Sequence, residues 1–534
     1  MAVTDFSYSA FEHSRGYQDA ATRLSVRDRL VPPMSGSELW GWLGPLIVAL
    51  FGAFLRFYRL GTPKAVVFDE TWYAKDAFST IKYGVERAFV DNANDLLVAG
   101  NTDIFKHCDK VDECAGYVVH PPLGKWMIGV GELIFGMNPF GWRFATALVG
   151  AISIFVLARL ARRMTRSTVL GCLAGFLLSL DALHFVLSRT ALLDNFLMFW
   201  VLAGFACLVV DRDKVREALS EWRESAASLD VGPRLGWRPW RLAAGLCLGA
   251  GLATKWTAIL FIAAFAVMVL LWDAGARRAV GLRRPYRETL RLDVPLAAAW
   301  TALVPAIVYV SSFAGWFASD KGYGRKWEQA TSSGPVFFVF DSLRSWLSYQ
   351  LQVLSFHTGL EETHPYQSEP WSWPLLLRPV AFFYESPKTC GADRCSWAVL
   401  GTGTPVIWFG GLAAMIGMIT WYVATRDWRA GAVLLAYAAG WLPWFYYAIA
   451  DNRTMYLFYA LPMLPFMILA IVLACGLILG PAVPGRRRLI GSIAVGAFAL
   501  FALANFWWLY PVISGEVIPY QDWYDRMLFK NGWI

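Results

Sequence analysis

Charge is the first thing this sequence is short of. Only 16% of its 534 residues are Asp, Glu, Lys or Arg, while 57% are hydrophobic. A soluble domain of that length needs a larger charged surface, so the composition excludes one and implies a protein that crosses a membrane many times. No nucleotide-binding glycine motif, internal repeat or low-complexity run stands out, so the sequence marks of a nucleotide-dependent enzyme or a repeat-built transporter are missing. The net charge of +8 sits mainly in loops between apolar runs, where topology explains it without nucleic acid as a partner. The apolar core and small-residue cleavage site of a signal peptide are absent as well. Residues 1–38, with Arg23, Arg27 and Arg29, read instead as a retained cytoplasmic tail.

What is present is a series of apolar runs of about 20 residues, the length that crosses a bilayer. The 27 Trp and 21 Tyr suit the aromatic belts at its two surfaces. The pattern predicts an all-α polytopic membrane protein with about eleven transmembrane helices. The N-terminus is expected in the cytoplasm and the C-terminus outside. The first run starts at Leu39 and leads into an external loop, 61–140. Within it His120–Gly136 (HPPLGKWMIGVGELIFG) is too short to cross and carries Lys125 and Glu132. It reads as an interfacial helix started by Pro121 and Pro122. With it left out of the spans, the Arg clusters at 159–166, 277–287, 426–429 and 486–488 fall on one side. The expected organisation is then a membrane module over 39–313, including the 61–140 loop, and a large external loop over 314–404 with an interfacial helix of its own. The last membrane helices follow over 405–510 and an external tail over 511–534.

Eight cysteines divide along the same line. Cys172, Cys207, Cys247 and Cys475 fall inside spans, whereas Cys108, Cys114, Cys390 and Cys395 lie in the two large external loops. That oxidising side favours two local disulfides, 108–114 and 390–395, with pairing between the loops left open. Neither pair has zinc-ligand spacing.

The chemistry gathers around FDETWYAKDA, Phe68 to Ala77, just past the first span. Two adjacent acids, Asp69 and Glu70, are held at a membrane surface with Trp72 and Tyr73 behind them. Other ionisable residues break the topology rule on the same outer side: Arg56, Arg59, His120, Lys125, Arg143, Asp181, His184, Arg189, Asp194, Lys255, Asp451 and Arg453. Singly, each reads as a snorkelling cation or a capped helix end. Together they outline an external cavity with several cations and a few acids. Arg and Lys suit a lipid phosphate at the bilayer edge, and a carboxylate facing them suits a general base. Asp211-Arg212-Asp213 matches a metal-binding DxD pattern but lies on the cytoplasmic side, and is expected to be a solvated helix end.

Five motifs in order carry a resemblance. The FDE run, HPPLGKW, SRTALLD (Ser188 to Asp194), GLATKW (Gly251 to Trp256) and DNRTMYLFYALP (Asp451 to Pro462) resemble those of protein O-mannosyltransferases, membrane enzymes of the GT-C glycosyltransferase fold. The likeness runs over nearly the whole chain. It implies transfer of mannose from a polyprenyl-phosphate mannose donor to Ser or Thr hydroxyls of secreted, Ser/Thr-rich polypeptides. The secretion translocon would be a natural neighbour. Asp69 is the candidate base, with Glu70 holding the acceptor or orienting the site, in roles that could be exchanged. Arg143, Lys125, His120, Arg189, Asp194, Lys255 and Arg453 are the candidates for the donor's phosphate and sugar. Trp72, Tyr73, Glu361 and His364 are placed on the acceptor side. No cofactor is required, although Asp69 and Glu70 could also ligate a divalent cation. Two departures stand out. Residues 314–404 are too few to hold the MIR domain of eukaryotic members, and Trp72-Tyr73 stands where those members carry a His. Three rivals remain: a GT-C transferase delivering to a lipid or glycan, a lipid-linked sugar transporter, and a non-catalytic assembly subunit.

Overall fold

The computed structural model describes residues 26–107, 114–225, 228–325, 335–530 and 532–533. Membrane-length helices set the frame. Among the described residues nine helices are long and apolar enough to cross a bilayer. In chain order the elements used below begin with α1 (Glu38–Phe57), α2 (Glu70–Tyr83), α3 (Pro122–Phe135), α4 (Pro139–Thr165) and α5 (Thr168–Ser179). Next come α6 (Leu193–Ser225), α7 (Pro239–Leu252), α8 (Ala258–Ala279), α9 (Pro285–Ser311) and α10 (Pro335–Thr358). The strands β1 (Val380–Glu385) and β2 (Cys395–Gly401) precede α11 (Pro405–Thr425), α12 (Trp428–Ala450), α13 (Leu457–Leu479) and α14 (Arg486–Ser514), and β3 (Val517–Pro519) closes the series. Each of the eleven expected spans meets a helix, but α5 and α7, at 12 and 14 residues, are shorter than a full crossing.

Local chemistry fixes where these helices begin. Asn138 caps α4 by accepting from the backbone N–H of Phe140 at 3.1 Å and Gly141 at 3.0 Å. Pro139, Pro239 and Pro405 stand in the first turns, where a missing N–H costs nothing. The interior is built around α13, whose side chains are buried almost throughout, while α14 lies at the rim with one wide apolar face exposed. Small residues let the site-bearing helices meet closely: a Cβ on Gly131 of α3 would stand 2.3 Å from the carbonyl oxygen of Gly141 in α4.

Helices stand where the two interfacial ones are expected, with a sidedness the sequence did not reveal. In α3 the charged Lys125 and Glu132 point inward and are buried, while Val130, Leu133, Ile134 and Phe135 are exposed. In α10 the exposed side carries Phe340, Leu343, Leu347, Leu351 and Leu354. Both apolar faces suit the edge of the hydrocarbon layer.

Two expectations are corrected. The chain is not wholly helical, because β1, β2 and β3 form an antiparallel sheet in that order. The runs VAFFYE and CSWAVLG are rich in aromatic and β-branched residues, which fit a pleated, half-buried surface. The Cys390–Cys395 disulfide closes the turn between them as expected, and β3 ties the C-terminal segment to the same sheet. The other expected pair includes Cys108, which lies outside the described residues. Second, Asp211 and Asp213 do not form a solvated helix end, since both are buried. Asp211 and Asp273 are held by Arg238 and Arg241 in a closed quartet, with Arg238 at 2.6 Å from Asp211 and 2.9 Å from Asp273. Asp213 takes Arg163, Arg166 and Arg212. The Asp211 carboxylate is spent on joining α6 to α7, the residue before it and, through the quartet, α8, and that of Asp213 on joining α6 to the end of α4.

Removing one member of such a quartet strands buried charge of the other sign. Arg238→Ala is expected to destabilise the protein by about 3–5 kcal/mol, read as a lower midpoint of thermal unfolding in detergent. An unchanged midpoint would show that the quartet contributes nothing to stability.

Candidate active site

The two adjacent acids have opposite fates. Phe68 takes a left-handed backbone conformation, φ 49°, and α2 starts directly after it with Asp69 as the residue preceding the helix. Glu70 turns inward and is completely buried. One of its oxygens accepts from Arg143 Nε at 2.7 Å and from the Ala191 N–H at 3.0 Å. The other accepts from Arg143 Nη2 at 2.8 Å and from the Val67 N–H at 2.9 Å. Arg143 sends its remaining N–H groups to the carbonyls of Leu60, Pro63 and Ala65. All five guanidinium donors are therefore occupied. The expected role of Arg143 on the donor phosphate gives way to another one, because it is the strut under Glu70.

Asp69 makes no side-chain hydrogen bond or ion pair among the described residues and keeps part of its surface open. Burial pushes its pKa up to about 6, with Lys255 pulling it down and Asp194 pushing it further up. Lys255 itself holds Asp194 through both carboxylate oxygens, at 2.9 and 3.0 Å, and lies 4.7 Å over the ring of Tyr459. Tyr73 is packed between two of the hydrophobic clusters, and its phenol is raised by burial and then by Asp69 and Asp194.

His120 stands beside this group, 6.0 Å from the ring of Tyr73 and 5.3 Å from that of His357. Burial holds it well below the usual histidine range, reinforced by Lys255, His357, Lys125 and Arg453, so it is neutral at pH 7. His357, at the end of α10, is pushed down to about 4 by burial despite its contact with the Val119 carbonyl. Arg453 donates to the backbone carbonyl of His357, and its buried Nε has no hydrogen-bond partner among the described residues. Lys125 is ion-paired with Glu86.

The structure thus brings Asp69, Tyr73, His120, Asp194, Lys255 and Arg453 into one region and sets other expected residues apart. Arg189 caps the end of α1 by donating to the carbonyls of Arg56, Tyr58 and Arg59, at 2.9, 2.6 and 3.0 Å. Its expected place on the phosphate is corrected in the same sense as that of Arg143. Trp72 points outward, against Phe89. Glu361 is exposed, and the His364 ring meets Tyr456 at 5.3 Å. Sequence reading gave no role to Phe68, Phe382, Tyr456, Phe458 or Tyr459, which form the aromatic wall next to Asp69. The run MYLFY after the Asp451 turn was the available signal. Among the described residues no three His, Cys, Asp or Glu side chains are arranged to hold a metal ion.

The contrast between the acids gives an expected outcome. Glu70→Gln removes the charge that Arg143 needs and should lower stability by about 3–5 kcal/mol. Asp69→Asn removes a carboxylate whose ionised form is disfavoured by folding, so at pH 7 its unfolding midpoint should equal or exceed wild type. Thermal unfolding of both purified variants at pH 7 checks the pair. Equal losses would remove the distinction.

Comparison with known proteins finds matches over most of the chain. The family model for dolichyl-phosphate-mannose-protein mannosyltransferase matches residues 46–313, and that for the C-terminal four-helix region of protein-O-mannosyltransferase matches 342–533. The polyprenol-phosphate-mannose–protein mannosyltransferase of Mycolicibacterium smegmatis is 41% identical over 526 residues, covering 94% of this chain and 96% of the relative. The protein of the same name from Mycobacterium tuberculosis is 39% identical over 503 residues, covering 91% of each. Among solved structures the yeast (S. cerevisiae) protein O-mannosyltransferase Pmt1-Pmt2 complex bound to the sugar donor superposes with a TM-score of 0.69 at 15% identity, over 95% of this chain and 94% of that one. This likeness gives the GT-C fold expected from the motifs. With matches of that extent, the chain belongs to the dolichyl-phosphate-mannose-protein mannosyltransferase family.

Proposed function

We propose that this protein transfers mannose from polyprenyl-phosphate mannose to Ser and Thr hydroxyls of polypeptides, with Asp69 as the general base. The observation that carries the assignment of the base is the unpaired Asp69 carboxylate, facing the Lys255–Asp194 pair, next to a Glu70 that is fully consumed by Arg143. Family membership supports the reaction, and the relatives, which are polyprenol-phosphate-mannose–protein mannosyltransferases, support the donor.

A Ser or Thr hydroxyl is a poor nucleophile at neutral pH and needs its proton taken as it attacks. In the proposed step the hydroxyl oxygen bonds to the anomeric carbon while the bond from that carbon to the phosphate oxygen breaks. The proton goes to Asp69 and polyprenyl phosphate leaves as a stable anion. One base and no covalent intermediate give a single displacement with inversion. The main electrostatic task is to hold the departing phosphate. With Arg143 and Arg189 committed elsewhere, Lys255 and Arg453, whose buried Nε has no partner among the described residues, are the best placed cations. Lys125 stands behind them, tied to Glu86. Neutral His120 can donate to the sugar or the phosphate without adding charge. Tyr73 and His364 border the acceptor side.

The topology follows from the same reading. Eleven membrane segments, with α5 and α7 crossing as short helices, put the Arg clusters in the cytoplasm. Asp69, both interfacial helices and the disulfide then lie outside, with the N-terminus in and the C-terminus out. An acceptor leaving the secretion translocon would reach the site while still extended. The donor's monophosphate can be neutralised by Lys255 and Arg453 alone, and so the reaction needs no metal.

Purified wild type and Asp69→Asn, given radiolabelled polyprenyl-phosphate mannose and a Thr-rich peptide, test the assignment. Wild type should label the peptide, and Asp69→Asn should lose that activity by at least about a hundredfold while still binding donor. Because the base must be ionised, wild-type kcat should rise with pH through about 6 and then level off. Label in a lipid or glycan instead of the peptide would replace the acceptor class. Activity lost in EDTA and restored by a divalent ion would place a metal at Asp69.

A further inference from the structure

The large loop contributes a side chain to the setting of Asp69, although it lies more than 300 residues further along the chain. We infer that Phe382 is a positioning residue for the transfer: carried on a β-bulge and seated on Gly401, its ring holds Phe68 in a left-handed turn and so sets the direction of the Asp69 carboxylate. This rests on the reading of Asp69 as the base.

Four observations converge on it. Phe68 has φ 49°, a conformation that bulky residues adopt only when their surroundings enforce it. Its ring is met edge-on by three others, Phe382 at 4.8 Å, Phe458 at 5.7 Å and Tyr456 at 6.2 Å, with interplanar angles of 79°, 83° and 86°. The closest of the three is delivered by an irregularity in the sheet. Pairing of β1 with β2 passes from Ala381 opposite Leu400 to Phe383 opposite Val399, which leaves Phe382 as the extra residue of a bulge. Bulges re-aim side chains and are common beside active sites. Finally, the Phe382 ring lies flush on Gly401, where a Cβ would stand 2.0 Å from one ring carbon. Any larger residue at 401 would push the ring off its seat.

The geometry explains how neighbouring acids come to point in different directions. The turn at Phe68 lets Glu70 enter the protein toward Arg143 and leaves Asp69 facing Lys255 and Asp194. If the turn relaxes, Asp69 is free to swing toward water. The hairpin that carries Phe382 is itself closed by Cys390–Cys395 and backed by β3, so it is a firm platform for the purpose. The charged and titratable groups around Asp69 are Lys255, Asp194, Tyr73 and Tyr456, and none is altered by a change at 382 or 401.

The test uses the full-length enzyme in detergent with polyprenyl-phosphate mannose and a Thr-rich peptide. The variants are Gly401→Ala, Phe382→Leu and Phe382→Tyr, with Asp69→Asn alongside. Gly401→Ala and Phe382→Leu should lower kcat by about tenfold or more, with donor KM within about twofold of wild type. The acid limb of the kcat profile should move to lower pH in both, because a better hydrated Asp69 ionises more easily. Phe382→Tyr keeps the ring and should restore both kcat and the limb. Phe382→Leu adds no atoms to the interior, so it decides the matter if Gly401→Ala does not fold. An unchanged kcat in Phe382→Leu would overturn the inference. So would a fall in kcat with the acid limb unmoved and donor KM raised, which describes general loosening. Full activity in Asp69→Asn would remove the base itself, whereas an inactive Asp69→Asn beside wild-type behaviour at 382 and 401 would remove only the positioning role.

Discussion

The buried pair of Glu70 and Arg143 is the constraint on which the site depends. It joins the loop from Leu60 to Val67, the start of α2, the body of α4 and the backbone at Ala191 through seven hydrogen bonds. A carboxylate and a guanidinium taken this far from water survive only if every donor and acceptor is met, and here they are. The pair also settles which of two neighbouring acids is free for chemistry. Charge that is fully satisfied cannot take a proton from a substrate. That leaves Asp69, whose carboxylate is only partly covered, as the acid proposed for the work.

The same division applies to the cations. Arg143, Arg189 and Arg238 are bound by carboxylates or helix-end carbonyls, and Lys125 is tied to Glu86. Lys255 is paired with Asp194, but it also faces Asp69, and the Arg453 Nε has no partner among the described residues. A group of residues that looks rich in cations in sequence thus reduces to a small number of charges able to meet a phosphate. Such economy suits a leaving group with a single phosphate better than a diphosphate.

Much of this was legible in the sequence for plain physical reasons. Span-length apolar runs and the Arg asymmetry gave the helices, because a bilayer imposes both. Pro121 and Pro122 marked the start of α3, and the positions of Cys390 and Cys395 marked a local disulfide. The acids and cations around Asp69 were found as a group. Their partners were not, since periodicity says nothing about which of two adjacent acids turns inward or which Arg caps a helix end. Asp211 and Asp213 looked solvated because arginines that hold them, Arg238 and Arg241 for the first and Arg163 and Arg166 for the second, stand far away in the sequence. The sheet escaped notice because two short strands in a loop carry a weak signal, and the third lies over 100 residues further on. Phe382 could not have been picked out at all, for its role depends on one unpaired position in a ladder and on a glycine opposite.

The pairing of β3 with β2 has a consequence for the order in which the enzyme becomes complete. Residues 517–519 belong to the sheet that presents Phe382, so the wall beside Asp69 is finished only after all the membrane helices have been made and inserted. A half-synthesised or misinserted chain would carry the acids of its first loop without the platform that aims them. The last strand acts in this sense as a latch: a chain whose final helix ended on the wrong side of the membrane could not close it, and would lie idle where it would otherwise meet donor lipid.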